Sequence, residues 1–286
     1  MTRAVVLARG LGTRMRRQDA DAALTLAQEQ AADAGLKPIM PINGHPFLAY
    51  VLNAIADASI RDVALVVAPD HEMLRRHFDA VAPVRTRVSF VVQQEARGTA
   101  DAVLAAATWT GNDPFLVMNA DNLYPAAALR DLAALDEPGF PAFDADDLVA
   151  SSNIPPERVR AFALAEVDDE GYLTSIVEKP VDLPPEGGRY KGSGDVASAF
   201  RRKDLVGWKT YVSMNCWRFD ARIYEVCRDV PRSARGEFEL PEAVGLAVAR
   251  GVRFKAVPAR GPVLDLSRRA DAVDISRRLS GITPWP

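Results

Sequence analysis

Short apolar runs alternating with longer amphipathic segments restrict this chain more than any other feature. Ala4–Ala8, Val63–Ala68, Val88–Val92 and Phe115–Met118 are brief, rich in β-branched residues and bounded by turn formers, the pattern of buried strands. Between them, Pro46–Ala58, Asp70–Ala80, Thr99–Thr108 and Pro125–Leu135 carry helical periodicity. A strand followed by a helix at this spacing requires crossover connections, which bring successive strands parallel and place helices on both faces. An α/β fold with a covered, parallel sheet is therefore expected. In such sheets ligands collect at the carboxyl ends of the strands, so the loops after Ala8, Gln93 and Met118 are where chemistry is expected.

The second half is less regular. Phe162–Val167 and Tyr172–Val177 flank the turn-rich Asp168-Asp169-Glu170-Gly171 and predict a hairpin. Tyr211–Phe219 reads as one strand, Glu239–Arg250 as a helix stopped at Gly251, and Val252–Val257 and Val263–Leu266 as two more strands before a last helix, Arg268–Leu279. Residues 136–156, rich in Pro and Asp, and 181–203, rich in Gly, Pro and charge, read as long variable loops. No repeat or linker divides the 286 residues, so a single domain over 1–286 is expected.

Charge and cysteine usage exclude several classes of function. Lys plus Arg number 35 against 38 Asp plus Glu, a net charge of −3. The basic excess that grips nucleic acid or an anionic membrane is missing. No run approaches the roughly 18–20 apolar residues that span a bilayer, and Ala4–Ala8 is too short for a secretory leader. Cys216 and Cys227, the only cysteines, have neither C-x-x-C spacing nor a histidine partner, which argues against a zinc site or a disulfide scaffold. A soluble cytoplasmic protein is expected. His45, His71 and His77 have no nucleophile elbow near them, so a serine hydrolase does not fit.

The loop after the first predicted strand reads Leu7-Ala8-Arg9-Gly10-Leu11-Gly12-Thr13-Arg14-Met15-Arg16. Gly10 and Gly12 let backbone amides approach a phosphate chain, and Arg14 and Arg16 add fixed positive charge. The dinucleotide fingerprint and the Walker A pattern both fail here. This Gly-x-Gly-Thr-Arg-Met loop resembles the one found in sugar-1-phosphate nucleotidylyltransferases, the NDP-sugar pyrophosphorylases. Lys37-Pro38, the segment Gln93–Val103, Asn119-Ala120-Asp121 and Val177-Glu178-Lys179-Pro180 resemble that family's later motifs in the same order.

The resemblance implies a three-layer Rossmann-like nucleotidyltransferase fold around a mostly parallel mixed sheet. It implies an enzyme that joins a nucleoside triphosphate to a sugar 1-phosphate and releases pyrophosphate, with Mg²⁺ as cofactor. Arg14 would grip the triphosphate and Lys37 the α-phosphate. Leu7, Ala8, Gly10, Gly12 and Thr13, with Gln93, Gly98 and Thr99, would form the nucleotide site, the base being left open. Asp121 and Asp265 would hold the metal; otherwise Asp121 is a strand-end turn residue and Asp265 a helix N-cap. Glu178, Lys179 and Asn215 would bind the sugar phosphate, with Glu237 a weaker candidate. Dimers or tetramers are common in this architecture, so a homo-oligomer is open.

Two departures stand out. Arg9 occupies a position where the family has a small residue. Further, 23 positions separate Arg14 from Lys37, more than the family's usual connection. The extra stretch, 19–34, is Ala-rich, with Leu24, Leu26 and Ala27 at helical spacing and Gly35 as a C-cap. It predicts an inserted helix near the mouth of the site: a lid, a subunit contact or surface decoration. Two rival functions compete with the leading one. A glycosyltransferase using an NDP-sugar has no need of the Gly-x-Gly-Thr-Arg and Lys-Pro motifs. A regulatory nucleotide-sugar binder finds support in Arg9, but has no need of Arg14, Lys37, Asp121 and Asp265 together.

Overall fold

The first strand, β1 (Arg3–Leu7), buries Ala4, Val5 and Val6 completely. Side chains alternate across a strand, and here Ala4 and Val6 join one apolar core while Val5 joins a second. A strand covered on both faces reads as an uninterrupted apolar run, which is why the pattern is plain in the sequence. The structure, a computed structural model, describes residues 2–10, 12–19, 22–81, 83–159, 162–177 and 209–286.

Two short strands, β2 (Pro41–Ile42) and β3 (His45–Pro46), pair with each other. β4 (Asp62–Val67), β5 (Arg87–Val92) and β6 (Phe115–Asn119) join β1 in the order β6-β1-β4-β5, every pairing parallel. A two-residue strand, β7 (Asn122–Leu123), leaves the end of β6. The remaining strands are β8 (Gly139–Phe143), β9 (Ala163–Val167), β10 (Leu173–Val177), β11 (Lys209–Ser213), β12 (Trp217–Phe219), β13 (Lys255–Ala259) and β14 (Leu264–Asp265). β12 enters antiparallel between β6 and β8, and β11, β9 and β10 continue the sheet outward, also antiparallel. β13 pairs parallel with β8, and β14 pairs with β7. The sheet is thus mixed, with a parallel core.

Helices cover both faces. They are α1 (Thr13–Arg16), α2 (Leu26–Asp33), α3 (Phe47–Asp57), α4 (Glu72–Val81), α5 (Thr99–Ala105), α6 (Ala107–Thr110), α7 (Ala126–Ala134), α8 (Ala145–Ser151), α9 (Pro156–Val159), α10 (Arg222–Asp229), α11 (Leu240–Ala249) and α12 (Arg269–Arg278). Leu48 and Leu52 of α3, Leu132 of α7 and Ile275 of α12 pack on one face against Val6 and Leu116. Val103 of α5, Val226 of α10 and Val244 of α11 pack on the other against Val5 and Val117. Cys216 and Cys227 are buried free thiols, and burial pushes Cys227 up to about 12. Among the described residues no helix is long and apolar enough to cross a membrane.

Two expectations are corrected. Residues 136–156 are not a loop: they contain α8 and β8, a fully buried strand. Pro141 disguised it, since proline is uncommon inside a sheet. Tyr211–Phe219 is not one strand, because Asn215 adopts a left-handed conformation (φ 57°) and separates β11 from β12. That break sends β11 to β9 and lays β12 against β6. The loop expected at 181–203 lies outside the described residues.

Candidate active site

At the carboxyl ends of β1, β5 and β6 the chain opens into a cavity of about 240 Å³. Leu7, Ala8, Arg9, Gly10, Gln93, Gly98 and Thr99 line it, with Lys37 and Asp121 at one side. A neighbouring cavity of about 270 Å³ is lined by Arg14, Asp121, Arg158, Asn215, Asp265 and Glu239, among others. Thr99, Asn119, Asp121 and Glu237 belong to both walls, so the two spaces adjoin with Asp121 between them. The first has alanine and glycine walls (Ala8, Ala96, Gly98, Ala102) suited to a flat ring, whereas the second is dominated by charge.

The structure brings together most of the residues expected to act. Gly12 and Thr13 line neither cavity. Glu178 and Lys179 lie outside the described residues. Gly12 instead allows a close backbone crossing, since it holds φ +63° and a Cβ there would lie 2.4 Å from the Gly35 carbonyl oxygen. Within the stretch 19–34 the described residues hold a shorter helix than expected, α2 over Leu26–Asp33, and it is built against the glycine loop. α2 starts with a capping box in which Gln28 N–H donates to Thr25 Oγ1 and Thr25 N–H to Gln28 Oε1. Its buried residues are Gln28 and Ala32, while Leu26 is exposed. Arg16 donates to the Ala34 carbonyl, and Arg269 of α12 donates to the Arg17 carbonyl and pairs with Asp33.

Gly98 caps α5 at φ +116°, and a Cβ on it would lie 2.4 Å from the Phe238 carbonyl oxygen. The same carbonyl accepts from Ala100 N–H, and Phe238 N–H donates to the Arg97 carbonyl. Thr99 does not cap its own helix; its Oγ1 accepts from Leu240 N–H at the start of α11. Gly98→Ala is therefore expected to destabilise the fold by at least about 1–3 kcal/mol from backbone strain alone. Gly10→Ala, where a Cβ meets nothing within 4 Å, should leave the urea midpoint unchanged. Equal midpoints for the two variants would refute this division of roles.

Gln93 is nearly fully buried, and its amide nitrogen donates to the Gly98 carbonyl (3.1 Å) and to the Asp101 carboxylate (2.7 Å). Asp101 is held in turn by Arg97. Lys37, in a one-turn 3₁₀ helix (Lys37–Ile39), places Nζ 2.7 Å from Asp121 Oδ2. The Asp121 backbone is fixed on both sides: Ala120 N–H donates to the Leu7 carbonyl, and Leu266 N–H donates to the Asp121 carbonyl. The β7–β14 ladder sets Asn122 opposite Asp265, which brings the second carboxylate to the same cavity.

Asp265 is no N-cap; α12 is capped by Arg268 and Asp271. It is buried, accepts from Ser267 Oγ (2.8 Å) and pairs with Arg158, which also binds Asp271 at 2.6 Å. Burial pushes the Asp265 carboxyl up against the pull of Arg158. Burial also disfavours the Arg158 charge, but Asp265 and Asp271 outweigh it and raise the guanidinium. Arg158 passes unnoticed in the sequence because it follows a stretch that reads as loop.

Asn215 ends a chain of amides: Trp217 Nε1–H donates to its Oδ1 (3.2 Å), and its Nδ2 donates to Asn119 Oδ1 (2.9 Å), which passes on to Asn122. Tyr124, buried, donates to the Met214 carbonyl and ties this turn to the Asp121 loop. Two carboxylates, one partly open, suit Mg²⁺, which takes one or two carboxylates and completes its shell with water and phosphate oxygens. Among the described residues no group of three or more metal-binding side chains converges.

Known proteins are similar to this chain in sequence and in fold. A glucose-1-phosphate thymidylyltransferase of Streptomyces antibioticus is 29% identical over 276 residues, covering 96% of this chain and 65% of that protein. The chain thus spans just under two thirds of that relative's length. A UTP–glucose-1-phosphate uridylyltransferase of Haloferax volcanii is 24% identical over 276 residues, 96% of each chain. In fold, a UDP-glucose pyrophosphorylase complexed with UDP-glucose superposes with a TM-score of 0.66 at 16% identity, over 97% of this chain and 98% of that one. The inositol-1-phosphate CTP transferase from T. maritima gives 0.67 at 17% identity, over 99% and 98%. Residues 3–266 match the Nucleotidyl transferase family, and with its parallel core and the loops at its carboxyl ends, the chain belongs to that family.

Proposed function

We propose that this protein transfers a nucleoside monophosphate from a nucleoside triphosphate to a sugar 1-phosphate, releasing pyrophosphate. The observation that carries the reading is the Lys37–Asp121 pair, 2.7 Å apart, with Asp121 where the alanine- and glycine-walled cavity meets the charged one. A triphosphate with its base in the first cavity turns its α-phosphate toward this pair. The acceptor's phosphate oxygen is already anionic, so its attack on the α-phosphorus needs no general base. The new P–O bond forms in line as the bond to the β-phosphate breaks, and the electron pair leaves with pyrophosphate.

The protein's work is then alignment and charge neutralisation. Lys37 serves the α-phosphate, Arg14 the leaving pyrophosphate, and the loop amides around Gly10 the rest of the chain of phosphates. Asn215 meets the sugar from the second cavity, with Glu178 and Lys179 as further sugar-phosphate ligands. Asp121 and Asp265 would hold Mg²⁺, which when bound neutralises phosphate oxygens. Lys37 and Arg158 balance the two carboxylates otherwise.

Pyrophosphate release with Mg²⁺, measured over a grid of nucleoside triphosphates and sugar 1-phosphates, tests the reading. At least one pair should turn over. Silence across the grid with a nucleotide still bound would overturn it in favour of a binding protein without turnover.

A further inference from the structure

A buried guanidinium stands where a helix least favours a cation. Arg269 is the first residue of α12 and only 4% exposed, at the positive end of the helix dipole. The helix does not need it there, since Asp271 already accepts from the Ser267 and Arg268 N–H groups. The guanidinium turns instead to α1. Its Nε donates to the Arg17 carbonyl at 2.9 Å, while Nη2 lies 3.5 Å from the Arg16 carbonyl and pairs with Asp33 of α2.

α1 needs such support. It is a single turn, Thr13–Arg16, and so short a helix is not stable alone. The carbonyls at its end have no partner within the helix, and Arg269 brings donors to them. Arg16 Nη2 donates to the Ala34 carbonyl at 3.0 Å, and Met15 is buried in the core. Between these anchors Arg14 lines the second cavity. Among the described residues no hydrogen bond or ion pair holds its side chain, so its direction follows the backbone of α1. At the other end of the tie, Asp271 pairs with Arg158, which holds Asp265. The head of α12 thus reaches both the Arg14 turn and the Asp265 carboxylate.

Resting on the nucleotidyl-transfer reading above, in which Arg14 serves the leaving pyrophosphate, we infer that Arg269 is a positioning residue. With Asp33 of α2 as its counter-ion, it holds α1 so that Arg14 meets the β- and γ-phosphates of the triphosphate. Arg269 itself lines neither cavity and touches no phosphate. The extra residues between Arg14 and Lys37 then have a task, because α2 brings the carboxylate that makes a buried guanidinium tolerable at this point. The same helix runs on toward Lys37: Leu36 N–H donates to the Ala31 carbonyl and Lys37 N–H to the Gly35 carbonyl. Misplacing a substrate-binding group by about 1 Å can cost about 10²-fold, so a tie at this distance from the phosphates still matters.

The test measures calorimetric binding of UTP, dTTP, GTP, ATP and CTP to the wild type without acceptor. The tightest of them and its nucleoside monophosphate are then followed through variants. Arg14→Met should bind the triphosphate about 10–100-fold more weakly, the range for a charged hydrogen bond, and Arg269→Met should approach that loss. Arg269→Met should bind the monophosphate within about 2-fold of the wild type, and in Arg14→Met/Arg269→Met the two losses should not add, because one acts through the other. Asp33→Asn changes an exposed side chain and should show the same triphosphate-selective loss at about 2–5-fold. Equal losses of triphosphate and monophosphate, additive losses in the double variant, or an unchanged triphosphate affinity in Arg269→Met would each overturn the inference. If Arg269→Met does not fold, Asp33→Asn decides: a selective loss upholds the inference and its absence overturns it. Triphosphate-selective losses in a protein that releases no pyrophosphate would uphold the positioning role while removing the transfer reading, so the two fail separately.

Discussion

Asp121→Asn is expected to lower pyrophosphate release by about 10²–10³-fold, the usual cost of removing one electrostatic element from a transfer site. The substitution keeps the shape of the side chain and removes its charge. Its backbone anchors, through Ala120 to Leu7 and from Leu266, do not involve the carboxylate. The side chain is 28% exposed and faces the cavity, so the fold should tolerate the change and the urea midpoint should hardly move. What is lost is the charged partner of Lys37 and, on the proposed reading, one of the two carboxylates that would hold Mg²⁺. Residual activity should require more Mg²⁺ than the wild type, which a Mg²⁺ titration of the initial rate would read. An unchanged rate with an unchanged Mg²⁺ requirement would remove Asp121 from the mechanism.

Arg158→Met should act on the fold instead, at about 3–5 kcal/mol of stability in urea unfolding. That is the range found when one partner of a buried ion pair is removed and the other is stranded. Asp265 and Asp271 would both remain buried, with side-chain exposures of 5% and 10%, and their shared cation would be gone. The loss should depend on pH in a definite sense. Burial already pushes the Asp265 carboxyl up, and removing Arg158 takes away the opposing pull. A carboxyl whose folded pKa lies above its unfolded value favours folding at acid pH and costs stability as pH rises through that interval. The deficit of the variant should therefore be smallest at acid pH and grow toward neutrality. A deficit below about 1 kcal/mol would indicate that the pair is solvated rather than buried.

Much of the parallel half was legible because its strands are covered on both faces. Ala4–Ala8 and Phe115–Met118 correspond to β1 and β6 within a residue at each end, and the loops after them lead to Gly10 and Asp121. The other half resisted for local reasons. Pro141 concealed a strand at the middle of the sheet, and Asn215 broke an apolar run without a glycine or proline to announce it. Long-range polar partners leave no periodicity at all. Nothing near Arg158 in sequence points to Asp265, 107 positions away, nor does anything near Thr99 point to Leu240.

The sheet order carries a consequence for synthesis on the ribosome. β1 and β6 emerge early, yet β6 meets its other neighbour only when residues 217–219 arrive. The Asp121 carbonyl waits for Leu266, and the turn after Arg14 waits for Arg269. A nascent chain halted before these residues would expose an open strand edge and an unsupported glycine loop. Completion of the second cavity, which needs Asp265, therefore waits until the residues around 265–269 have emerged.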